Sequence, residues 1–517
     1  MSRQAKCCRV THSQSIAPVK FPGDQEKLQA IVSHANAGEF VAAENIASEI
    51  ADKVMACEAW RVLCRVNANT QRFDDARKAI EIALQHVPNS STARLERALV
   101  MEQQGQHVES LAELESLTRI FGDSPQWLVH LARGLRFAGR AAEAEQQLEA
   151  ALRRWPTDLK LHGQLAQLRW SRGAGEASTQ WIESAIEKFP HELGLRLIAA
   201  DHLRNAGYAG KALSLLEGGL ALAPDSAAFL TSIGVLLDDL GRTEEALRYL
   251  ADAVARSPDA GSAKRNLVAS LLRAGRATEA LRGCDELLER APDDQQLIAY
   301  RATALRLSGD SRYAELHDYD RLVRIYRLQP PVGFTDIAQF NAALARELSQ
   351  LHRSERRPLA QSLRGGTQTE RNLPAGNPLI ADFFAMLDTP IREYIARLRD
   401  NDGHPTDRRK RAGYRIAGSW SVQLQPGGFH INHVHPQGWL SSAYYLELPE
   451  SVKDSSSRAG WLKFGEPGFP TDSCPPDHFV EPEAGTLVLF PSYLWHGTVP
   501  FDEGGRRLTA AFDVVPG

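Results

Sequence analysis

PDAGSAKRNLVASLLRAGRATEALRGCDELLERAP, residues 258–292, runs from one proline to another 34 positions later. Inside it Leu267, Val268, Leu271 and Leu272 form one apolar stripe at helical spacing, and Ala280, Leu281, Cys284, Leu287 and Leu288 form a second. Gly275 lies between the stripes. Glycine at a helix end supplies the left-handed residue that turns the chain sharply into the next helix. The small residue five positions later, Ala280, lets the two helices approach closely, and proline stops the second one. The segment predicts a helix–turn–helix unit.

The markers recur on one ruler. Glycine stands at 105, 139, 173, 207, 241, 275 and 309, each step 34 residues. Proline stands at 88, 156, 190, 224, 258 and 292, with Gly122 in the missing place. Ala76, Ala144, Ala212, Ala246, Ala280 and Ala314 keep the same step, with Ser110 and Ser178 as small substitutes. This pattern resembles the tetratricopeptide repeat over about nine units. The resemblance implies an α-solenoid over residues 24–310 with an extended concave surface, and a protein or peptide partner bound there.

A chain of 517 residues exceeds one core, so two or three domains are expected. With 24% charged residues and a net charge of −4, nothing calls for nucleic acid or an anionic membrane as partner. The run Asp407-Arg408-Arg409-Lys410-Arg411 is short and led by an acid, and reads as a solvated turn. Residues 1–23 read as a disordered tail. Met1 to Lys20 holds no apolar run of signal-peptide type, and no stretch reaches the roughly 18 apolar residues of a membrane span. A cytoplasmic location is expected. Six cysteines without a CxxC pair give no disulfide framework, and Cys57, Cys64 and Cys284 fall in apolar stripes as core thiols.

After Gly309 the ruler stops. Tyr313 to Leu328 reads as further helix, broken by Pro330-Pro331. Two amphipathic helices follow, 336–352 and 379–399, with the Gly365-Gly366-Thr367-Gln368-Thr369 loop between them. Residues 311–410 are therefore expected to be a helical connector and support. From about 412 the period falls to two. Trp420–Leu424, Leu440–Leu448, Trp461–Phe464, Thr486–Phe490 and Leu508–Val514 alternate as strands, which points to a sandwich or jelly-roll over 411–517. The fold class is α + β multidomain.

The histidines cluster in this second half. His430, His433 and His435 fall within six residues, just after the turn Pro426-Gly427-Gly428. His496 follows the strand ending Leu489-Phe490-Pro491-Ser492. On an extended segment His433 and His435 share a face and can share one metal, while His430 points elsewhere. A third ligand from a distant strand would leave positions open, which suits Fe(II) with a chelating co-substrate and O2. Arg507 and Thr509, two apart on a strand, offer a guanidinium fork and a hydroxyl to a far carboxylate. Trp420, Trp439 and Trp461 read as core, and Glu447 and Glu450 as solvated.

The order His-x-His, a tyrosine-bearing strand, FPSxLxH and RxT resembles the 2-oxoglutarate/Fe(II) oxygenase family often found behind tetratricopeptide repeats. The likeness spans residues 358–517 and includes Ser362-Leu-Arg-Gly-Gly-Thr-Gln368. It implies a double-stranded β-helix barrel of the jelly-roll or cupin kind with flanking helices. By position, His433, His435 and His496 are the implied metal ligands, and Arg507 and Thr509 the implied holders of the 2-oxoglutarate carboxylate. Tyr445 is the implied neighbouring hydroxyl, although a one-residue slip would put Tyr444 there instead. The wider superfamily carries His-x-Asp or His-x-Glu. Here the middle ligand is His435, so three neutral imidazoles compensate the ion's charge less. The implied activity is a dioxygenase (a hydroxylase) acting on a protein or peptide presented by the repeats. Two alternatives stand beside it: a repeat scaffold whose barrel binds metal without turnover, and a three-histidine dioxygenase that needs no 2-oxoglutarate. Arg507 speaks against the latter.

Overall fold

The computed structural model describes residues 22–36, 39–69, 72–352, 359, 361–369, 372–374, 376–400, 403–471, 473–502 and 504–517. Cys7, Cys8 and most of the expected N-terminal tail lie outside these residues. The chain divides into two compact units, Met1–Arg97 and Ala98–Gly517. In the first, the neighbouring helices Lys53–Asn69 and Phe73–His86 bury Cys57, Leu63, Cys64, Ala76 and Ile80. Burial pushes the Cys64 thiol up to about 12, the behaviour of an inert core thiol.

In the second unit the ruler reports itself in backbone angles. The seven marker glycines all adopt positive φ, from 68° at Gly309 to 92° at Gly207. Ala144, Ala212, Ala246 and Ala280 are completely buried, and Ser110 and Ser178 nearly so. Helices end two residues before the prolines, as Arg256 does before Pro258 and Arg290 before Pro292. Ala314 departs: it is exposed, because its helix is cut to Arg312–Leu316 and the ladder of pairs ends there.

Among the described residues nine strands follow: β1 (Arg324–Arg327), β2 (Leu363–Gln368), β3 (Tyr414–His430), β4 (Leu440–Glu447), β5 (Leu462–Phe464), β6 (His478–Val480), β7 (Thr486–Pro491), β8 (His496–Thr498) and β9 (Arg507–Pro516). They form two antiparallel sheets, one ordered β1-β7-β4-β9-β3-β2 and one ordered β6-β5-β8. Successive side chains serve opposite faces. Tyr444, Leu487, Leu489, Leu508, Ala510, Phe512 and Val514 pack with Phe340, Leu344, Phe383 and Ile391 of the flanking helices. Tyr445, Val488 and Phe490 pack instead with Leu462 and Phe464 of the smaller sheet and with Trp495. Tyr300 of the helix Gln295–Leu307 joins that second core, so the repeats end directly on the sheets.

Four sequence readings are corrected. Tyr313–Leu328 is not one helix: Arg312–Leu316 and Tyr319–Leu322 are short turns of helix, and β1 then pairs with β7 from Arg324↔Leu489 to Arg327↔Thr486. An arginine at each end and the exposed face of Ile325 and Arg327 suit an edge strand. The Gly365-Gly366 segment is strand β2, not a loop. Gly365 takes φ +64° at a register shift, and a Cβ on Gly366 would strike the Gln423 carbonyl, so both glycines permit close pairing with β3. The helix expected at 379–399 is two, Pro378–Met386 and Asp388–Arg397, because Pro390 has no N–H to bond back to Met386. Finally, the 407–411 run is not simply solvated. Asp407 is buried and pairs with Arg321 at 3.0 Å, and Arg409 donates to the Gly438 carbonyl at 2.5 Å.

The conformational claim is testable at Gly241, whose φ is +75° and whose missing Cβ would meet nothing within 4 Å. Gly241→Ala should cost about 1–2 kcal/mol through the left-handed backbone alone. Gly261→Ala, equally unobstructed but at an ordinary helical φ, should be neutral or slightly stabilising. A lower urea midpoint for Gly241→Ala beside an unchanged or higher one for Gly261→Ala would bear this out; equal shifts would not.

Candidate metal centre

The end of β3 delivers His430, and the chain then turns through Asn432 toward β8. His433 and His496 exchange both backbone hydrogen bonds, 2.9 Å from His433 N–H to the His496 carbonyl and 3.1 Å in return. His435 N–H donates to the Ser492 carbonyl at 3.0 Å. These bonds gather His433, His435 and His496, whose ligand nitrogens all lie within 4.8 Å of one another. Phe490 covers the His496 ring edge-to-face at 4.7 Å, and Trp420 lies 5.5 Å from His435.

Each imidazole is oriented through its Nδ1. His433 Nδ1–H donates to the Ile431 carbonyl at 2.8 Å and His496 Nδ1–H to the Leu494 carbonyl at 2.9 Å. His435 Nδ1–H donates to Asp513 Oδ1 at 2.5 Å. With Nδ1 occupied in all three, the Nε2 lone pairs are the ones left to bind an ion. Burial disfavours the imidazolium form. It takes His433 down to about 3, and His496 well below the usual range, with the neighbouring histidines adding to the effect. A cluster of neutral nitrogen donors fits a divalent transition metal such as Fe(II).

His430 stays outside the triad. It lies 5.6 Å ring to ring from His433, its Nδ1 is 3.0 Å from Ser362 Oγ, and Ser362 Oγ is also 3.4 Å from His433 Nε2. Ser362, Ser441, Ser492 and Asp513 escape a reading of the sequence for ligands, because each acts through a neighbour brought in from a distant strand.

On β9 the side chains divide by parity. Leu508, Ala510, Phe512 and Val514 enter the helix-facing core, while Arg507, Thr509 and Asp513 occupy the other face. Arg507 is 2% exposed, and its guanidinium carbon lies 5.1 Å over the Tyr445 ring. Its Nε lacks a hydrogen-bond partner, and no carboxylate among the described residues pairs with it. Burial pulls its pKa down, and its charge reaches His430. Arg506, by contrast, is neutralised by Glu447 at 2.6 Å, so Glu447 is a paired and not merely a solvated acid. Thr509 is buried opposite Tyr445 across the β4–β9 pair. Tyr445 is fully buried on the Arg507 side, whereas Tyr444 turns away and donates its hydroxyl to Asn341 Oδ1 at 2.6 Å. Trp439 is buried as expected of core.

The family described as "Putative 2OG-Fe(II) oxygenase" matches residues 418–513, and the family described as "Tetratricopeptide repeat" matches residues 67–125, 130–192 and 231–295. No curated protein matches the chain. Among solved structures, a thermophilic tetratricopeptide-repeat protein of Thermus thermophilus is 26% identical over 35% of this chain and 99% of its own, with a TM-score of 0.28. Yeast Tom70 is 17% identical over 57% of this chain and 62% of its own, with a TM-score of 0.41. A tetratricopeptide-repeat protein of Parabacteroides merdae is 17% identical over 48% of this chain and 98% of its own, with a TM-score of 0.31.

The depressed histidines set a pH dependence for the metal-free protein. An unfolded histidine takes up its proton near pH 6.5, whereas the folded His496 and His433 stay neutral far below that. Between pH 6.5 and about 3 the unfolded state therefore binds more protons, and stability falls as pH falls. The slope is up to about 1.4 kcal/mol per pH unit for each imidazole held neutral. Melting of the metal-free protein across this range should show that loss, and His496→Asn should flatten it; an unchanged slope in the variant would refute the assignment.

Proposed function

We propose, for a chain that carries tetratricopeptide repeats and a C-terminal 2OG-Fe(II) oxygenase domain, an Fe(II)- and 2-oxoglutarate-dependent dioxygenase that hydroxylates a protein or peptide presented by the repeats. The observation that carries this reading is the buried Arg507 guanidinium, without a carboxylate partner, on the strand face that also serves the histidine triad. Fe(II), 2-oxoglutarate and O2 would together supply the oxidation, coupling decarboxylation to succinate with hydroxylation of a C–H bond.

The chain's own residues then have distinct tasks. His433, His435 and His496 would hold the metal through Nε2, aimed by their Nδ1 bonds, with His433 and His496 kept neutral by burial. Arg507 anchors the far carboxylate of 2-oxoglutarate with a charge-assisted fork, and the Thr509 hydroxyl adds a second donor. Tyr445 lies beside them, its buried ring under the Arg507 guanidinium. The apolar rings of Phe464 and Phe490 lie against His496 and cover that side of the triad. The reading carries with it a double-stranded β-helix built from the two sheets, behind a solenoid of about nine repeats.

A protein substrate is favoured by how the repeats end. Tetratricopeptide repeats suggest protein–protein interaction, and their last long helix, Gln295–Leu307, touches both segments that bear the triad. Gln295 N–H donates to the Pro436 carbonyl at 3.1 Å, and Trp495 Nε1 donates to Thr303 Oγ1 at 3.0 Å. A peptide lying along the repeats would be delivered toward the metal.

Calorimetry of 2-oxoglutarate into Mn(II)-loaded protein tests the reading. Arg507→Met should weaken 2-oxoglutarate about 100-fold, roughly 3 kcal/mol, while Mn(II) binding stays within a few-fold. Thr509→Val should cost about 1 kcal/mol. Equal 2-oxoglutarate affinity in the wild type and Arg507→Met would remove the co-substrate assignment.

A further inference from the structure

We infer that Asp513 is a positioning residue that supplies, through His435, the negative charge a three-histidine site otherwise lacks. The inference rests on the metal assignment proposed above. Three features single out Asp513. First, the three histidines are not equivalent: His433 and His496 lean on neutral backbone carbonyls, and only His435 leans on a carboxylate, at 2.5 Å. Second, that carboxylate is 7% exposed, and among the described residues no lysine or arginine pairs with it. An acid buried without a fixed cation is costly, because desolvation outweighs the hydrogen bonds alone. A cation on the far nitrogen of the same imidazole offsets that cost.

Third, the carboxylate is held in register by groups that also shape the metal segments. Ser441 Oγ donates to Asp513 Oδ1 at 2.8 Å and lies 2.9 Å from Ser492 Oγ. Ser492 in turn accepts the His435 backbone N–H. His435, Asp513, Ser441 and Ser492 form a closed loop, and Asp513 and Ser441 face each other across the β4–β9 pair. A carboxylate accepting from Nδ1–H makes the opposite nitrogen a stronger donor. His435 therefore stands where a ligating acid stands in the wider superfamily, with the acid displaced one imidazole outward.

The test is Mn(II) titration into the metal-free full-length protein, with Co(II) absorption as a second readout. Asp513→Asn keeps an oxygen acceptor for His435 and Ser441 and removes only the charge. It should weaken Mn(II) about 10- to 100-fold and shift the Co(II) bands. The melting temperature of the metal-free protein should hold or rise, since an unpaired buried charge is gone. A merely structural Asp513 predicts the reverse, a metal-free protein that melts earlier with Mn(II) affinity within twofold, and that result overturns the inference while leaving the triad intact. Should Asp513→Asn not fold, Ser441→Ala carries the test: weakening of about 3- to 10-fold supports the inference, and affinity within twofold overturns it. A wild-type protein that binds neither ion removes the metal assignment itself, and this inference with it.

Discussion

His433 and His496 stand far apart in the chain, yet each donates its backbone N–H to the other's carbonyl. That reciprocal pair is the constraint on which the rest of the C-terminal half depends. It brings the loop after β3 against the start of β8, and so places three imidazoles within reach of one ion. Side chains could not do this unaided, since an imidazole is short and its useful nitrogen can be aimed only if the backbone beneath it is fixed. The glycine at 497 belongs to the same constraint, because any Cβ there would run into Asn432. Backbone pairing sets the positions, and Nδ1 hydrogen bonds then set the rotations.

The repeat helices bear on this geometry directly. Tyr300 stacks on Trp495 at 6.1 Å, one residue before His496, and the helix carrying Tyr300 also bonds to the loop after His435. Both histidine-bearing segments are therefore buttressed by the helix Gln295–Leu307. Arg306 adds a hydrogen bond to the Gly465 carbonyl at 3.0 Å, next to β5. A site built on loops is held only as firmly as what packs behind it, and here part of that backing is the final repeat.

The solenoid was readable because each of its signals is local. A left-handed glycine, a buried alanine and a helix-stopping proline each need only their near neighbours, so the 34-residue spacing survives in one dimension. The strands were readable where they alternate and unreadable where pairing decides. Arg324–Arg327 looks like the tail of a helix until β7 is beside it, and Gly365-Gly366 looks like a loop until β3 approaches it closely. The ambiguity between Tyr444 and Tyr445 has the same origin, a period of two whose phase only the partner strand defines. His433, His435, His496 and Arg507 stood out by spacing, and the structure brings the three histidines together. Asp513 did not stand out, since its partner His435 is 78 residues away and an acid near a strand end is ordinarily solvated.

What most distinguishes this face of the sheet is charge held where it cannot be neutralised. Arg507 and Asp513 lie on the same side of β9, six residues and so about 20 Å apart along the strand. They cannot pair with each other, and neither has a fixed partner of opposite charge among the described residues. Selection for stability alone would replace both by apolar residues of similar size, as the alternate positions Leu508, Ala510 and Phe512 illustrate on the opposite face. A buried cation at one end and a buried anion at the other make sense as the two termini of a site whose own contents are charged in the opposite order. On the function proposed above, the anion would serve a metal held by the histidines and the cation the far carboxylate of a dicarboxylate.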